Sequence, residues 1–310
     1  MRNIRTALLG LICAASAAAE IHHNPGSTVA LPHEKYIHVV SEADSPVQQV
    51  YIKSKDGLYI AAAIRKPKGS GHYPAIIIFH GAPGGRGMEQ LAGWSRGDWG
   101  GPVWERFLQE GYVVAVADYR GGNMNLTSAA SANGMVTSID DGLAVIDYIK
   151  ALPYVDPDRI NLYGVSLGGN LVMNLTSRVP VHAAIVGAPA VMWFLGIQMP
   201  PPGSAPNPDA LKNLKPDPQI STKNIEPIRT PILILVGTAD RLMPVAIMLH
   251  DALAAAGKSV RLDIYEGGYH DFCLGPQGQK RPDLPQGEAL FDSALDALEK
   301  SVLFLAGKLK

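Results

Sequence analysis

The chain contains 310 residues, of which 47% are hydrophobic, and its formal net charge is −1. A chain of this length can bury a self-supporting core, and its near-neutral charge excludes the basic balance typical of a nucleic-acid or membrane-surface partner. Its two cysteines are Cys13 and Cys273, and the first lies in a segment that we expect to be removed. The single remaining cysteine allows no intramolecular disulfide.

The N-terminus has the pattern of an export signal. Arg2 and Arg5 precede an apolar stretch at 7–12, and alanines at 17–19 form a small-residue cleavage site. Because the apolar stretch is too short to span a bilayer, we expect a cleaved signal peptide at 1–19 rather than a retained anchor. The sequence therefore predicts a periplasmic or secreted protein with no stable membrane insertion after cleavage.

A hairpin follows a short N-terminal extension. Residues 20–46 show no hydrophobic periodicity and are expected to lie over the surface. Two β-rich runs at 47–52 and 58–64 flank an Asp-Gly pair at 56–57, which is a strong hairpin signal. No repeat or linker divides the remainder, so we predict one domain over 47–310.

Beyond the hairpin, strand patterns alternate with helical patterns. Continuous apolar runs predict strands buried on both faces at 75–79, 112–117, 160–165, 183–186, 232–236 and 260–265. Helices are predicted at 103–110, 139–151, 244–256 and 288–305. Ser138 is expected to cap the second of these helices, with Asp140 and Asp141 in its first turn. This alternation predicts an α/β fold with a mostly parallel sheet and helices on both faces.

One long proline-rich segment, residues 189–227, interrupts the alternation. A long irregular stretch in a compact domain is often a functional lid. The apolar side chains at its start favour a lid over an apolar pocket, although they could instead pack on the core: Met192, Trp193, Phe194, Ile197 and Met199.

The pattern G-x-S-x-G occurs twice, around Ser166 at 164–168 and around Ser95 at 93–97. The apolar run 160–165 precedes Ser166 and a helix-compatible stretch follows it, which is the strand–sharp turn–helix context of a nucleophile elbow. Neither flank of Ser95 fits that context, so Ser95 is predicted to be a loop residue. Ser166 is therefore the candidate nucleophile.

An activated serine needs a general base and a group that orients this base. His270 lies in a glycine-rich loop after the last predicted strand, where a mobile base can be placed, whereas His250 falls inside a predicted helix as a surface or boundary residue. Asp240 follows a buried strand at its C-terminal end and is the predicted acid. Asp263, within a strand, and Asp271, adjacent to the base, are its competitors.

The developing oxyanion requires backbone N–H donors. Leu167, directly after the candidate nucleophile, supplies one in the nucleophile-elbow arrangement. The loop at 80–85, which follows the strand 75–79, is expected to supply the other from Ala82, because Pro83 has no N–H.

Together these motifs resemble the α/β-hydrolase superfamily, and most closely its prolyl-oligopeptidase (S9)-like and dienelactone-hydrolase-like branch. The resemblance covers roughly 47–305 and implies Ser166, Asp240 and His270 as a catalytic triad. The peptidase relatives carry a β-propeller before the catalytic domain, and dienelactone hydrolases use a cysteine nucleophile. This chain has a short extension and a serine at those places. The motifs that carry the resemblance are Asp56-Gly57, His80-Gly81-Ala82-Pro83-Gly84-Gly85, Asp118-Tyr119-Arg120-Gly121, Val155-Asp156-Pro157-Asp158-Arg159-Ile160, Gly164-Val165-Ser166-Leu167-Gly168-Gly169, Gly237-Thr238-Ala239-Asp240 and Gly268-Tyr269-His270.

The sequence thus predicts an exported serine hydrolase that needs no cofactor or metal and cleaves small carboxylic esters through an acyl-enzyme on Ser166. An S9-type peptidase acting on short peptides uses the same chemistry and is the first alternative. A hydrolase-fold binding protein without turnover is the second. The segment Asp118-Tyr119-Arg120-Gly121 is expected to be structural.

Overall fold

The computed structural model describes residues 19–24, 40–96, 101–121, 129–198, 210–274 and 287–309. Residues 1–18 of the expected signal, together with Met199, lie outside the described residues. What the sequence predicts for these residues stays a prediction.

The described ranges contain nine β-strands and seven α-helices. The strands are β1 (Glu20–Asn24), β2 (Gln48–Lys53), β3 (Tyr59–Arg65), β4 (Tyr73–Phe79), β5 (Val113–Ala117), β6 (Val155–Val165), β7 (Ala183–Gly187), β8 (Ile232–Gly237) and β9 (Val260–Tyr265). The helices are α1 (Met88–Ser95), α2 (Gly101–Gln109), α3 (Ala129–Lys150), α4 (Leu167–Thr176), α5 (Pro218–Ile225), α6 (Met243–Ala255) and α7 (Gly287–Leu305). Two short 3₁₀ turns are Ala210–Asn213 and Phe272–Leu274. None of the helices in these ranges combines the length and apolarity needed to cross a bilayer.

All nine strands form one sheet in the order β1-β9-β8-β7-β6-β4-β5-β3-β2. From β1 to β5 in this order the neighbours run parallel, whereas β3 is antiparallel to both β5 and β2. The predicted mostly parallel sheet is therefore confirmed. Because parallel strands end at the same edge, the segments that follow β4, β6, β8 and β9 meet there, and such an edge is the usual ligand site of an open α/β sheet.

Strand β4 shows how the two faces of the sheet are filled. Ile77 and Phe79 pack with α3, α4 and α6, whereas Ile76 and Ile78 pack with α1, α2 and α7. All four side chains are fully buried, and full burial of one such side chain stabilises the fold by roughly 1.5–3 kcal/mol. A strand covered by helices on both faces explains the continuous apolar run in the sequence.

Residues 20–24 lie at the surface, as expected of the N-terminal extension, yet they have regular structure that the sequence pattern does not predict. These residues form β1, which pairs parallel with β9 at the edge of the sheet. The side chain of Asn24 fixes its end, because Lys300 Nζ donates to Asn24 Oδ1 at 2.5 Å and Asn24 Nδ2 donates to the Ile264 carbonyl at 3.3 Å. The partners of β1 are remote in sequence, so its own pattern carries no signal of a strand.

The predicted start of the helix at 139 is also wrong, because α3 begins ten residues earlier. Ser138 lies inside α3 and does not cap it. Its hydroxyl contacts the carbonyls of Gly134, at 2.8 Å, and of Arg120. Asp141 is fully buried and accepts hydrogen bonds from the Ser54 hydroxyl and from the Arg120 guanidinium. A serine followed by two acids resembles a helix start, but here Ser138 bonds partly within its own helix, and Asp141 bonds to residues outside it.

The described part of the predicted lid packs on the core. Met192, Phe194 and Ile197 are buried in the cluster that joins the sheet to α3, α4 and α6. Residues 218–225 form α5, whose N-terminus is capped by the Asp217 carboxylate. These side chains therefore pack on the core, which was the alternative to a lid over an apolar pocket.

Candidate active site

Ser166 occupies the sharp turn between β6 and α4. Its backbone has φ 55° and ψ −115°, and it is one of two non-glycine residues with positive φ among the described residues. Such a conformation is costly for a residue with a Cβ and persists where the surroundings hold it. The turn lifts Ser166 to the N-terminal end of α4, where the helix dipole favours negative charge on its oxygen.

Two glycines allow the elbow to pack this tightly. A Cβ on Gly164 would lie 2.3 Å from the carbonyl oxygen of Gly168. A Cβ on Gly168 would lie 2.1 Å from the carbonyl oxygen of Phe79. Both contacts are with backbone and cannot be relieved by a rotamer change, so the motif requires glycine on each side of the serine.

The main chain of Ser166 is held by the segment that follows β7. Its N–H donates to the Gly187 carbonyl at 2.9 Å, and its carbonyl accepts from the Ala190 N–H at 2.9 Å. The carbonyl also accepts from the Asn170 N–H at 3.2 Å, inside α4. The two bonds to the segment after β7 hold the strained turn from one side, and the bond within α4 holds it from the other.

Asp240 and His270, the predicted acid and base, are hydrogen-bonded. His270 Nδ1 lies 3.0 Å from Asp240 Oδ2. A carboxylate only accepts, so this bond assigns the proton to Nδ1 and leaves Nε2 as a proton acceptor. The bond raises the pKa of His270, although partial burial of the ring opposes the shift. The Asp240 side chain is 1% exposed and the His270 side chain is 46% exposed, which suits a fixed acid and an accessible base.

The loops after β8 and β9 bring these two residues together. The Ala239 N–H donates to the Gly268 carbonyl at 3.0 Å, and the Gly267 N–H donates to the Thr238 hydroxyl at 2.8 Å. The Asp240 carboxylate also accepts from the Leu242 N–H at 2.9 Å, which orients it at the start of α6. The acid and the base are thus placed by backbone contacts between neighbouring strand ends.

The competing residues have other partners. Asp263 is fully buried within β9 and pairs with Arg261, whose Nε donates to it at 2.8 Å. His250 lies in α6, as predicted, but it is buried rather than on the surface, and its Nδ1 lies 2.9 Å from Asp251 Oδ1. His250 is buried because its apolar neighbours along α6 face the core. The residue type alone does not indicate this burial.

The predicted oxyanion donors lie on two segments beside the elbow. Leu167 is the first residue of α4, and Ala82 lies in the loop after β4. A Cβ on Gly81 would be 3.5 Å from Ser166 Cβ, so this loop lies directly against the nucleophile candidate. Within the described ranges, the N–H groups of Ala82 and Leu167 donate to no other protein group. Both remain available to a ligand.

Sequence reasoning missed the supporting role of Asp118, which it treated only as structural. Its buried carboxylate accepts from the N–H groups of Gly85 and Gly87, each at 2.9 Å, and lies 3.2 Å from His80 Nε2. Burial alone would raise the pKa of Asp118, but hydrogen bonds from His80 and from backbone N–H groups lower it to about 2. Asp118 therefore holds the loop that carries Ala82. Its position at the C-terminal end of β5 was the available signal.

Ser95 is not a loop residue, contrary to the prediction. It is the last residue of α1, and its side chain is buried. Its hydroxyl donates to the Ala92 carbonyl at 2.8 Å, and its own carbonyl accepts from Arg65 Nη1 at 3.0 Å. The helix forms without a preceding strand because Leu91 and Trp94 bury an apolar face against the sheet.

Comparison with known proteins decides the family. The model of the dienelactone hydrolase family matches residues 60–289, which are 230 of the 310 residues. The chain belongs to the dienelactone hydrolase family. It is accordingly a hydrolase, and its α/β-hydrolase fold agrees with the resemblance found in the sequence.

The individual proteins that this chain resembles share less than 30% sequence identity with it. The quorum-quenching protein AidA of Acinetobacter baumannii is 29% identical over 113 residues, which cover 36% of this chain and only 34% of AidA. The structure of the esterase Est22 has a TM-score of 0.60 at 17% identity and covers 86% of this chain and 83% of Est22. The Pyrococcus horikoshii acylaminoacyl peptidase has a TM-score of 0.58 at 17% identity, covering 89% of this chain and 43% of the peptidase.

Cys273 is the one thiol in the described part of this dienelactone hydrolase family member. It is buried, and burial raises its pKa to about 12. A thiol of that pKa is protonated at neutral pH and a poor nucleophile. Within the described ranges, no group of three or more His, Cys, Asp or Glu side chains is arranged to hold a metal ion.

Proposed function

We propose that this chain is a serine hydrolase that cleaves carboxylic esters through an acyl-enzyme on Ser166. The observation that carries the proposal is the strained turn at Ser166, at the same edge of the sheet as the hydrogen-bonded pair Asp240 and His270. Backbone strain of this kind is typical of functional sites. Family membership supports hydrolysis as the chemistry.

In the first half-reaction, Ser166 Oγ attacks the carbonyl carbon of the ester. The hydroxyl proton passes to His270 Nε2, and Asp240 stabilises the resulting imidazolium through Nδ1. The tetrahedral intermediate carries a negative oxygen, which the N–H groups of Ala82 and Leu167 stabilise. Collapse breaks the bond to the alcohol oxygen, His270 returns the proton to that oxygen, and the acyl group remains on Ser166.

In the second half-reaction, water replaces the alcohol. His270 takes a proton from the water as its oxygen attacks the acyl carbon, and a second oxyanion forms in the same place. Collapse releases the carboxylic acid, and the proton returns from His270 to Ser166 Oγ. The raised pKa of His270 favours the imidazolium stage of both half-reactions.

Esters are proposed ahead of peptides because the family model that matches is that of the dienelactone hydrolases, and a lactone is a cyclic ester. The acylaminoacyl peptidase neighbour keeps short peptides as the alternative substrate. Turnover of p-nitrophenyl acetate and butyrate should exceed that of aminoacyl-naphthylamides. Equal or greater turnover of the amides would favour the peptidase alternative.

We further propose export to the periplasm or beyond the cell, from the signal-like sequence of residues 1–19. The strand β1 begins at Glu20, directly after the proposed cleavage site, which is compatible with a mature chain that starts there. N-terminal sequencing of the protein recovered from a periplasmic fraction should begin at Glu20. Recovery of intact Met1 from the cytoplasm would contradict export.

The function is tested by p-nitrophenyl ester hydrolysis with the wild type and Ser166→Ala. The wild type should turn over the ester, and Ser166→Ala should retain thermal stability while losing turnover. A wild type without turnover, and without reaction with a fluorophosphonate, would favour the binding-protein alternative.

A further inference from the structure

We propose that His80 and Asp118 form a positioning pair that fixes the orientation of the Gly81–Ala82 peptide. This peptide carries the N–H proposed to stabilise the oxyanion, so the inference rests on the proposed function and deepens it. Both side chains act through the backbone of the loop that follows β4.

The imidazole of His80 is fully buried and bonded at both nitrogens. Its Nδ1 lies 2.7 Å from the Gly81 carbonyl oxygen, and its Nε2 lies 3.2 Å from Asp118 Oδ1. A carbonyl oxygen can only accept a hydrogen bond, so Nδ1 is the donor to Gly81, while Nε2 faces the Asp118 carboxylate. The two contacts fix the ring from both sides, with the loop on one side and the buried Asp118 side chain on the other.

The bond to the Gly81 carbonyl determines where the next N–H points. In a trans peptide the C=O and N–H bonds point in opposite directions. With the Gly81 oxygen directed at His80, the Ala82 N–H points away from the imidazole. Gly81 itself lies against Ser166, since a Cβ there would be 3.5 Å from Ser166 Cβ. A flipped peptide would aim a carbonyl oxygen at the oxyanion position and leave a buried Nδ1–H without an acceptor.

Further contacts make the pair rigid. Asp118 accepts from the N–H groups of Gly85 and Gly87, so one carboxylate fixes both the imidazole and the far end of the loop. The Tyr119 hydroxyl donates to the His80 carbonyl at 2.8 Å, and its ring stacks on the imidazole at 4.7 Å. The donor is thus oriented before substrate binds, as electrostatic stabilisation of a transition state requires.

Two amide substitutions of His80 separate its two hydrogen bonds. His80→Gln can keep a donor near the Nε2 position toward Asp118 but loses the donor toward the Gly81 carbonyl, and His80→Asn does the reverse. With a p-nitrophenyl ester, kcat should fall by roughly 100-fold in His80→Gln and by less than about 10-fold in His80→Asn, with KM within about 3-fold of wild type in both. The affinity for a trifluoromethyl ketone, which forms an oxyanion on the serine, should fall in parallel with kcat/KM.

His250→Gln is the matched control, because His250 is also buried but lies in α6. It should lose thermal stability without a change in kcat. Equal kcat values for His80→Gln and His80→Asn, or a folded His80→Gln with wild-type kcat, would overturn the positioning pair. If His80→Gln does not fold, Tyr119→Phe tests the same loop through the His80 carbonyl. A matched decrease in kcat and ketone affinity is then expected, and unchanged values of both would refute the pair.

Failure of the proposed function is recognised separately. A wild type that neither hydrolyses esters nor reacts with a fluorophosphonate would remove the proposed function, and this inference with it. An active, labelled wild type whose His80→Gln variant keeps its kcat and ketone affinity would remove the positioning pair alone.

Discussion

Ser166 and Ser95 stand in the same five-residue pattern, yet the fold uses them differently. Ser166 lies between β6 and α4 with φ 55°, at the positive end of the helix that follows. Ser95 ends α1, and its hydroxyl donates to the Ala92 carbonyl within the same helix. The first hydroxyl sits where negative charge is favoured, and the second sits where the helix dipole opposes it.

This difference shows that the pattern is informative only with its flanks. The strand before Ser166 delivers it to the carboxyl edge of the sheet, where Asp240 and His270 also lie. Ser95 is reached through a helix packed on the sheet by Leu91 and Trp94. The same letters therefore predict a nucleophile in one place and a buried helix end in the other.

Removing each hydroxyl in turn is the strongest way to break the comparison. Ser166→Ala should lower kcat/KM for a p-nitrophenyl ester by roughly 10⁴-fold or more, because the acyl-enzyme can no longer form. Ser95→Ala should leave kcat/KM within about 2-fold and cost about 1 kcal/mol of stability through its lost hydrogen bond. Both values come from steady-state kinetics and thermal unfolding. Full turnover in Ser166→Ala with loss in Ser95→Ala would reverse the assignment.

The second prediction concerns Asp240, the proposed acid, which lies at the same edge of the sheet as Ser166. Asp240→Asn should lower kcat by roughly 10³- to 10⁴-fold, because it removes the group that orients and stabilises the imidazolium. His270 accepts a proton only when neutral, so activity rises with pH through its pKa. Asp240 raises that pKa, and the acid limb of kcat/KM should therefore move to lower pH in Asp240→Asn.

Asp251→Asn is the control for this pH profile. Asp251 contacts a different histidine, the buried His250 in α6, at 2.9 Å. It should leave both kcat and the acid limb unchanged. An unchanged acid limb in Asp240→Asn would show that His270 is not the group that titrates.

The third prediction tests whether the tight turn itself distinguishes Ser166. Gly168→Ala places a Cβ 2.1 Å from the Phe79 carbonyl oxygen. The backbone must shift, which should cost about 1–3 kcal/mol of stability and lower kcat by roughly 100-fold through displacement of the serine. Gly101→Ala is the control, since no atom of the described residues outside its own helix lies within 4 Å of the added Cβ. A Gly168→Ala variant with wild-type kcat would separate activity from the turn.

The smallest expected effect concerns the loop beside Ser166. The pKa of Asp118 is about 2 in the fold, against an ordinary 3.8. A depressed pKa stabilises the folded state above the ordinary value, by about 2 kcal/mol here, and this contribution is lost as the pH falls from about 4 to about 2. Asp118→Asn should therefore be less stable at neutral pH and show a flatter dependence of unfolding free energy on acid pH. Parallel curves for both proteins would contradict this.

Much of this arrangement follows from local pattern. Strands buried on both faces show as continuous apolar runs, and the glycines around Ser166 mark a turn with no room for a Cβ. Asp240 and His270 follow strand ends, and parallel strands bring such ends to one edge. The fold, and the strand ends at which the candidate site residues lie, were predictable for these reasons.

The remaining features depend on partners that are distant in the chain. The strand β1 exists because β9 offers an edge. Ser138 resembles a helix cap, yet its hydroxyl contacts the Arg120 carbonyl from inside α3. The bond between His80 and Asp118 joins residues 38 positions apart. No window of sequence contains both members of such a contact, so the loop that carries Ala82 could be placed but its support could not.

The central claim is that Ser166, and not Ser95, is the nucleophile, and a fluorophosphonate probe with peptide mapping tests it most directly. The wild type and Ser95→Ala should each incorporate one probe, on the peptide that contains Ser166. Ser166→Ala should incorporate none. Labelling of Ser166→Ala at Ser95, or labelling of the wild type at any residue other than Ser166, would contradict the account.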